Sequence, residues 1–359
     1  MPPVMLSALP GESSVTPSNA LAIADAYACV RALSDAAASL PLVVYRRTEA
    51  GRIRAEGATA ELIRRPAPAT TTANLIGQLV AHLNLWGNAY LGLFRSEGKL
   101  TQIAALAPDR VTPELRRGEP VYTIRDERGR QSEHGTDDVV HIRALSTDGL
   151  LGLSPVRQAR AALGLSADLI DHASTFFQNS ARPSGIVKAP AGAGSREALE
   201  ALRATWEAKH RGMANAHRIA VVSGEVDFIP LAMPLEDLQF IEQRRLSATE
   251  TARIFRVPPW IIGAEDGGSL TYANLEQQNL AFATHSLRPW LVLIEQALSA
   301  HRDLFPGGLY CEFLLDALLR ADSATRAETY AKALDPERGW MTRAEVRRLE
   351  NLDPETETS

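Results

Sequence analysis

Apolar residues recur at spacings of three and four over residues 18–40. Ile23, Tyr27, Val30, Leu33 and Ala37 share one stripe, which predicts a helix capped by Ser18. Pro41 takes Leu40 out of helical geometry, and LVVYR then reads as a strand. A second helix is predicted over about 72–86, where Leu75, Leu79, Leu83 and Trp86 align and the Gly87-Asn88 pair ends the run. The period then changes to two. AYLGLFR, LTQIAAL, VYTIR and DDVVHIR alternate between turn signals such as SEGK and DERGR, the pattern of an antiparallel meander that closes an α+β unit near residue 145.

From residue 154 the pattern lengthens. Ser154 and Pro155 suit a helix cap and first helical position, and Val156, Ala159, Leu163, Ile170, Ala173 and Phe177 form a stripe up to Arg182-Pro183. About 24 residues at ~1.5 Å each predict a rod of roughly 36 Å. A short insert follows: GIVK as a strand, SREALEALRATWEAKHR as a helix, and RIAVVSG with VDFIPL as a hairpin around Ser223-Gly224-Glu225. A second long helix starts at Pro234 and carries Leu238, Ile241, Ala248, Ala252 and Phe255 on its apolar stripe. Its acids Glu236 and Asp237 come first and Arg253 and Arg256 last, the order that suits the helix dipole. It stops sharply at RVPPWIIG, where Pro258 forces Val257 out of helical geometry and Pro259 is expected to prevent a restart. After GAEDGGSLT a third helix is predicted over about 273–300, bent or broken at Pro289. The tail offers a strand, LYCEF, and two short helices, the last with a capping box in Thr342 and Glu345.

A length of 359 residues suggests two or more packed units, and 45% hydrophobic with 23% charged residues is ordinary for a globular chain. Two distant cysteines, Cys29 and Cys311, argue against a disulfide framework and fit a reducing compartment. Residues 1–18 read as a mobile arm without a signal-peptide pattern, and no apolar run reaches the roughly 18–20 residues that span a bilayer, so a soluble, intracellularly made protein with no membrane partner is expected. The net charge of −5 and the absence of a Lys/Arg-rich run disfavour a static grip on nucleic acid, while leaving room for handling DNA without gripping it.

Candidate chemistry is sparse. The eight histidines form no metal-ligand spacing, so no metal and no cofactor are expected, and His141 reads as a core or interface residue of a strand. GLSP at 152–155 lacks the second glycine of a nucleophile turn, and Ser154 as a helix cap explains the same letters. GAGSRE at 192–197 lacks the third glycine of a dinucleotide loop, and no phosphate-binding GxxxxGK[ST] occurs. Adjacent acids on a strand point to opposite faces, so Asp137-Asp138 does not easily converge; Glu265-Asp266, among glycines, reads as a solvated loop. No catalytic residue is assigned.

Several blocks in fixed order carry a resemblance: AYACVRALSDAAASLPLVVY at 26–45, WGNAYL at 86–91, GLLGLSPV at 149–156, FFQNSARPSGIV at 176–187, the long LEDLQFIEQRRLSATETARIFRVPPWIIG, then YANLEQQ, LRPW and GWMTRAEVRRLE at 339–350. Over roughly 19–353 the chain resembles the portal, or head–tail connector, proteins of tailed bacteriophages, in the branch shared with prophages and gene transfer particles. The resemblance implies a non-enzymatic ring, usually of twelve copies, at one capsid vertex. It implies an arm at 1–18, a wing at 19–153, stem helices at 154–181 and 234–256, a clip at 182–233, a tunnel loop at 257–272, and a wing return with a small crown at 273–359. Stem positions would include Phe177, Arg244, Arg245, Arg253 and Arg256, and clip positions that dock partners would include Arg196, Glu200, Trp206 and Glu225. In the tunnel loop, Pro258 and Pro259 would stiffen the base, Trp260 would pack on the ring wall or in the core, Gly263, Gly267 and Gly268 would leave the outer part mobile, and Glu265 and Asp266 would repel phosphates. Twelve copies at −5 would carry about −60. The implied partners are further copies of the chain, the terminase large subunit, a head–tail adaptor, the major capsid protein and double-stranded DNA passing without sequence specificity. The rival readings are a nucleotide-dependent DNA-processing enzyme and a prophage remnant that no longer assembles.

Overall fold

The computed structural model describes residues 15–49, 51–179, 185–188, 227–230, 235–264, 272–315, 323–336 and 338–349; within these, side chains are described except at 171–241, 272–276, 323–327 and 348–349. Contacts divide the chain into two units. One comprises residues 1–15 and 160–251, the other residues 16–159 and 252–359.

The larger unit begins with a 3-10 turn, Ala20–Ala22, and then α1 (Ala24–Ala38). Ser18 does not cap it. Ile23 holds the cap position with no side-chain bond, and Asn19 turns its carboxamide to the Thr16 amide and hydroxyl instead. Val30, Leu33 and Ala37 are buried as the periodicity predicts, but Tyr27 is 48% exposed and the core takes Ala26 and Cys29 in its place. Small residues allow the close approach of α1 to α3 (Thr72–Trp86), with Ala38 next to Gly77. Between them lie β1 (Leu42–Thr48), β2 (Gly51–Arg54) and α2 (Ala58–Arg64). Thr71 caps α3 by accepting from the Asn74 amide at 3.2 Å, and Gly87 ends it in left-handed geometry.

The β-rich stretch is not one meander. Its strands are β3 (Asn88–Ser96), β4 (Lys99–Leu106), β5 (Val111–Arg116), β6 (Glu119–Arg125), β7 (Gln131–His134) and β8 (Val139–Arg143). They form two three-stranded sheets, ordered β4-β3-β8 and β5-β6-β7. β8 returns to β3, with His141 opposite Tyr90, because VVHI presents the buried positions that β3 needs on its open edge. β5 escapes pattern reading because Pro113 sits inside it; the strand tolerates proline as an edge of its sheet. Tyr90, Val111, Tyr122 and Val139 form the cluster that joins the two sheets.

In the same unit, after α6 (Leu235–Ile254) in the chain, the predicted third helix is three pieces: α7 (Tyr272–Ala281), a π-helical stretch (Phe282–Leu287) and α8 (Arg288–Ala300). Pro289 lies in the first turn of α8. It has no amide to donate, and the widened π turn ahead of it accommodates the interruption of the ladder. β11 (Leu309–Phe313) pairs with β1 and completes the sheet β11-β1-β2, so the LYCEF strand joins the first strand of the chain across some of its longest sequence separations. α9 (Ser323–Ala333) and α10 (Arg343–Leu349) follow, the latter with the predicted Thr342–Glu345 capping box: the Thr342 amide donates to Glu345 at 2.8 Å and the Glu345 amide to Thr342 Oγ1 at 3.3 Å.

The predicted rod after Ser154 is interrupted. α4 (Pro155–Gln158) ends at Ala159, whose φ of −105° and ψ of 17° leave the helix, and α5 (Arg160–Asn179) starts anew. Neither proline nor glycine marks the break. The smaller unit holds α5, the antiparallel pair β9 (Gly185–Lys188) and β10 (Asp227–Pro230), and α6 (Leu235–Ile254) up to Thr251. The VDFIP segment thus pairs with GIVK; RIAVVSG lies outside the described residues. α5 and α6 have 20 residues each, about 30 Å at ~1.5 Å per residue. In the described part of α6 the buried positions are Ser247, Thr251 and Ala252, and Phe255 just past its end is buried too, so Ala252 and Phe255 keep the predicted stripe while Ser247 and Thr251 join it.

Candidate functional site

Two of the signature blocks meet. Gly87 and Gly152 approach backbone to backbone: a Cβ on Gly152 would stand 2.0 Å from the Gly87 carbonyl oxygen, and one on Gly87 would stand 2.2 Å from that of Leu153. Asn88 stitches the contact. Its Nδ2 donates to the Trp86 and Gly152 carbonyls at 3.0 and 2.9 Å, and its Oδ1 accepts from the Gly152 amide at 2.8 Å and faces His141 Nε2 at 2.9 Å. Ser154 caps α4 through the Arg157 amide at 3.1 Å while its hydroxyl donates to the Leu85 carbonyl. Ser154 is therefore a structural cap. Asp148 shapes the intervening loop by accepting from the Leu151 and Leu150 amides, which holds its carboxyl below the usual range. WGN and GLLGLSP form one joint between α3 and α4. No signal in the sequence pairs them; glycine and asparagine after a helix read only as a turn.

The end of α6 shows how RVPPWIIG stops a helix. Arg256 lies in left-handed geometry, φ 57°. Its amide donates to the Arg253 carbonyl at 3.1 Å, and the Val257 amide reaches back to Ala252 at 2.9 Å. These two bonds are the Schellman pattern, and the buried Ala252 and Val257 supply its apolar contact. Glycine is the usual residue there, and arginine costs about 1 kcal/mol more. Pro258 and Pro259 do not end helical structure: Pro259 opens a 3-10 turn, Pro259–Ile262, which Gly263 closes at φ 74°. Proline at a first helical position loses no bond, since that amide has no partner in the turn. The turn packs on α1. Trp260 is half-buried, and its Nε1 is shielded without a partner among the described residues.

The remaining sequence-predicted positions scatter. Arg253 and Arg256 are exposed, Arg245 is exposed and Arg244 half-buried on α6, and Phe177 lies in α5 with its side chain not described. Glu265, Asp266, Gly267 and Gly268, and the clip positions Arg196, Glu200, Trp206 and Glu225, lie outside the described residues, as does GAGSRE. Asp138 pairs with Arg95 at 2.7 Å; the same guanidinium reaches Asp303 at 2.8 Å and the Asp137 carbonyl at 2.8 Å, a structural clasp rather than a carboxylate pair. His141 stacks on Tyr90 with ring centroids 4.4 Å apart and meets Tyr122 edge-on, and burial pulls it down to about 3. His82, packed on Trp86, is pulled down to about 4 by burial. Burial pushes both free thiols, Cys29 and Cys311, up to about 12. Among the described residues no group of His, Cys, Asp and Glu could hold a metal, and no helix is long and apolar enough to cross a membrane.

The sequence profile described as phage portal protein matches residues 24–351, nearly the whole chain. The chain belongs to the phage portal protein family. It is 32% identical to a probable portal protein of Streptomyces phage phiC31, over 95% of this chain and 77% of that one, and 27% identical to the portal protein of Enterobacteria phage HK97, over 98% and 84%. In structure this portal family member is similar to a chain in the virion of the native gene transfer agent (GTA) particle, with a TM-score of 0.70, 25% identity and 96% of each chain covered. It is likewise similar to a chain in the neck of the native GTA particle computed with C12 symmetry, with a TM-score of 0.66, 25% identity and 95% of each chain covered. The α+β fold expected from the sequence is the fold of these portal family relatives.

Proposed function

We propose that this portal family member forms a ring of twelve copies at one capsid vertex and that double-stranded DNA enters and leaves through its axial channel. The observation that carries this reading is the likeness over 95% of each chain to a chain in a particle neck computed with C12 symmetry. In this reading the chain is structural rather than enzymatic. It docks the terminase large subunit while the particle fills, and then a head–tail adaptor, with the major capsid protein around it.

The division of the chain into units supports the assignment of parts. Residues 160–251, grouped with residues 1–15, form one contact unit that holds α5, α6 up to Thr251 and the β9–β10 pair, which fits a stem bearing a clip. The other unit supplies the wing, the return after residue 273 and a small crown of α9 and α10. Residues 257–272 are the tunnel loop, stiff at its base because the fixed φ angles of Pro258 and Pro259 open a closed 3-10 turn. Beyond the turn, Glu265 and Asp266 repel passing phosphates, so that DNA slides without multiple ionic contacts.

The test has two arms. Purified full-length protein viewed by negative-stain microscopy should give rings with a central hole; a protein that stays monomeric and hydrolyses nucleotide would overturn the reading. In packaging assays, Glu265→Lys with Asp266→Lys should slow DNA entry while leaving rings intact, and unchanged packaging would remove the electrostatic role.

A further inference from the structure

The sheet β11-β1-β2 ends at β2, whose four residues are all exposed and whose outer edge pairs with no strand among the described residues. The Ala55 amide donates to the Val44 carbonyl at 2.8 Å. By the alternation of an antiparallel ladder, Ile53 then bonds inward to β1, and the N–H and C=O groups of Arg52 and Arg54 face the open edge. Such an edge is a template for a further strand.

One face of the same sheet is basic and aromatic. Register sets Arg47 opposite Arg52, and Tyr45 between Arg54 and Tyr310. The Arg47 guanidinium lies over the Tyr310 ring, 5.1 Å from its centroid, and that of Arg52 over Tyr45 at 4.8 Å. A guanidinium stacked by its face keeps its N–H edge for a carboxylate. Arg52 already meets Glu312, while Arg47 and Arg54 have no ion pair among the described residues. Like charges directly opposite one another in a sheet are destabilising, and one carboxylate does not balance three guanidiniums.

The chain carries a segment of matching charge and spacing. Residues 350–359, ENLDPETETS, lie outside the described residues; they hold Glu350, Asp353, Glu355 and Glu357 and no Lys or Arg. Asp353, Glu355 and Glu357 alternate, so an extended backbone sets all three carboxylates on one face at a repeat of ~6.8 Å, the repeat that separates Arg52 from Arg54 on β2. Pro354 biases Asp353 toward that extended form. In an antiparallel strand added to β2, the acids take the bonded positions opposite the arginines. Pro354 then falls between them, where its missing amide faces outward, the one place a sheet edge tolerates proline.

We propose that residues 353–357 add to the open edge of β2 in the same copy as an antiparallel strand, with their carboxylates on the arginine face. α10, from which the segment continues, belongs to the same unit as this sheet, and tethering raises the local concentration of the acids at the edge. The contact lies within one copy, so it goes beyond the ring reading and does not depend on it.

Hydrogen exchange of the full-length chain, with thermal unfolding of each variant as a check on folding, tests it. Reversing the segment with Asp353→Lys, Glu355→Lys and Glu357→Lys should speed exchange of the amides at positions 52 and 54 by about tenfold or more, with little change in the unfolding midpoint. Arg47→Glu with Arg54→Glu should do the same, and the two sets combined should restore most of the protection. Benzoylphenylalanine in place of Ile53, once irradiated, should capture residues 350–359 at the mass of a single chain. Equal exchange in wild type and the reversed segment, or no recovery in the combined variant, would overturn the pairing. Capture only at twice the chain mass would overturn its place within one copy. Protection that appears in the wild type only when duplex DNA is added would give the face to DNA and overturn the assignment.

Discussion

The α carbon of Gly152 leaves no room for a side chain because the carbonyl oxygen of Gly87 occupies it, 2.0 Å from where a Cβ would stand. Both obstructing groups at this joint are backbone, so neither can rotate away. Gly152→Ala must therefore part α3 from the loop that leads into α4 and strip the Asn88 bonds at the same time. The expected loss is about 2–4 kcal/mol, the range of overpacking combined with a broken buried hydrogen-bond network. Gly77→Ala is the control. Its Cβ would meet Ala38 at 3.6 Å, an ordinary contact inside α3, and removing a helical glycine should stabilise by about 0.5–1 kcal/mol. Urea unfolding of the two variants should give midpoints on opposite sides of the wild type.

That joint marks the boundary of what the sequence discloses. Local periodicity reports one element at a time, and α3, β3, β4 and the capping box at Thr342 are where it places them. Pairings across long separations leave no local trace. β8 beside β3, β11 beside β1 and Gly152 on Gly87 follow from which edges and surfaces are left open once the elements exist. Ser18 fails as a cap because α1 starts only at Ala24, behind the separate 3-10 turn Ala20–Ala22. The portal resemblance was legible from ordered blocks, yet the Asn88 stitch to Gly152 was not, since an asparagine just after a helix reads only as a turn.

Acid should weaken the larger unit through two histidines. His82 and His141 are held near 4 and 3 in the folded chain by burial, against about 6.5 when unfolded. The unfolded chain therefore binds more protons, and stability falls as pH drops below about 6.5, at a slope approaching ~1.4 kcal/mol per pH unit for each group. The contribution is fully present above that pH and is lost progressively down to about 4 for His82 and about 3 for His141. His82→Leu should flatten the dependence between pH 6.5 and 4, because it removes the titrating group, and it orphans nothing at Nδ1, which has no partner among the described residues. Chemical denaturation at pH 7.5 and 5 measures it; equal slopes in wild type and variant would remove His82 from the account.

Arg95 fastens the loop before β8 to the segment after α8. Its guanidinium takes Asp138, Asp303 and the Asp137 carbonyl together, and the side chain is 24% exposed. The acids it pairs with are 44% and 59% exposed and rehydrate when freed, so the net value is modest after solvent screening. Arg95→Met should cost about 1 kcal/mol, with a loss that shrinks at 1 M salt. Arg95→Lys should not restore it, because one ammonium cannot span two carboxylates and a carbonyl as a planar fork does. Hydrogen exchange at residues 136–139 reports the clasp directly, and unchanged protection in Arg95→Met would dismiss it.

Pro258 and Pro259 lead into the 3-10 turn, and that placement determines what their removal should do. Neither needs an amide in the folded chain: Pro258 holds the cap at φ −58°, and Pro259 is the first residue of the turn. Alanine can adopt both conformations without strain, so the folded turn should survive Pro258→Ala with Pro259→Ala. What changes is the unfolded chain, which gains freedom at two positions. The pair should lower stability by about 1–2 kcal/mol in total through that route alone. The same freedom should loosen the loop base when the turn opens, so packaging by rings of the double variant should slow while, in a background with the other four tryptophans replaced by phenylalanine, the Trp260 fluorescence maximum of the folded protein stays put. A shifted maximum would mean that the prolines hold Trp260 in place rather than merely limiting the unfolded chain.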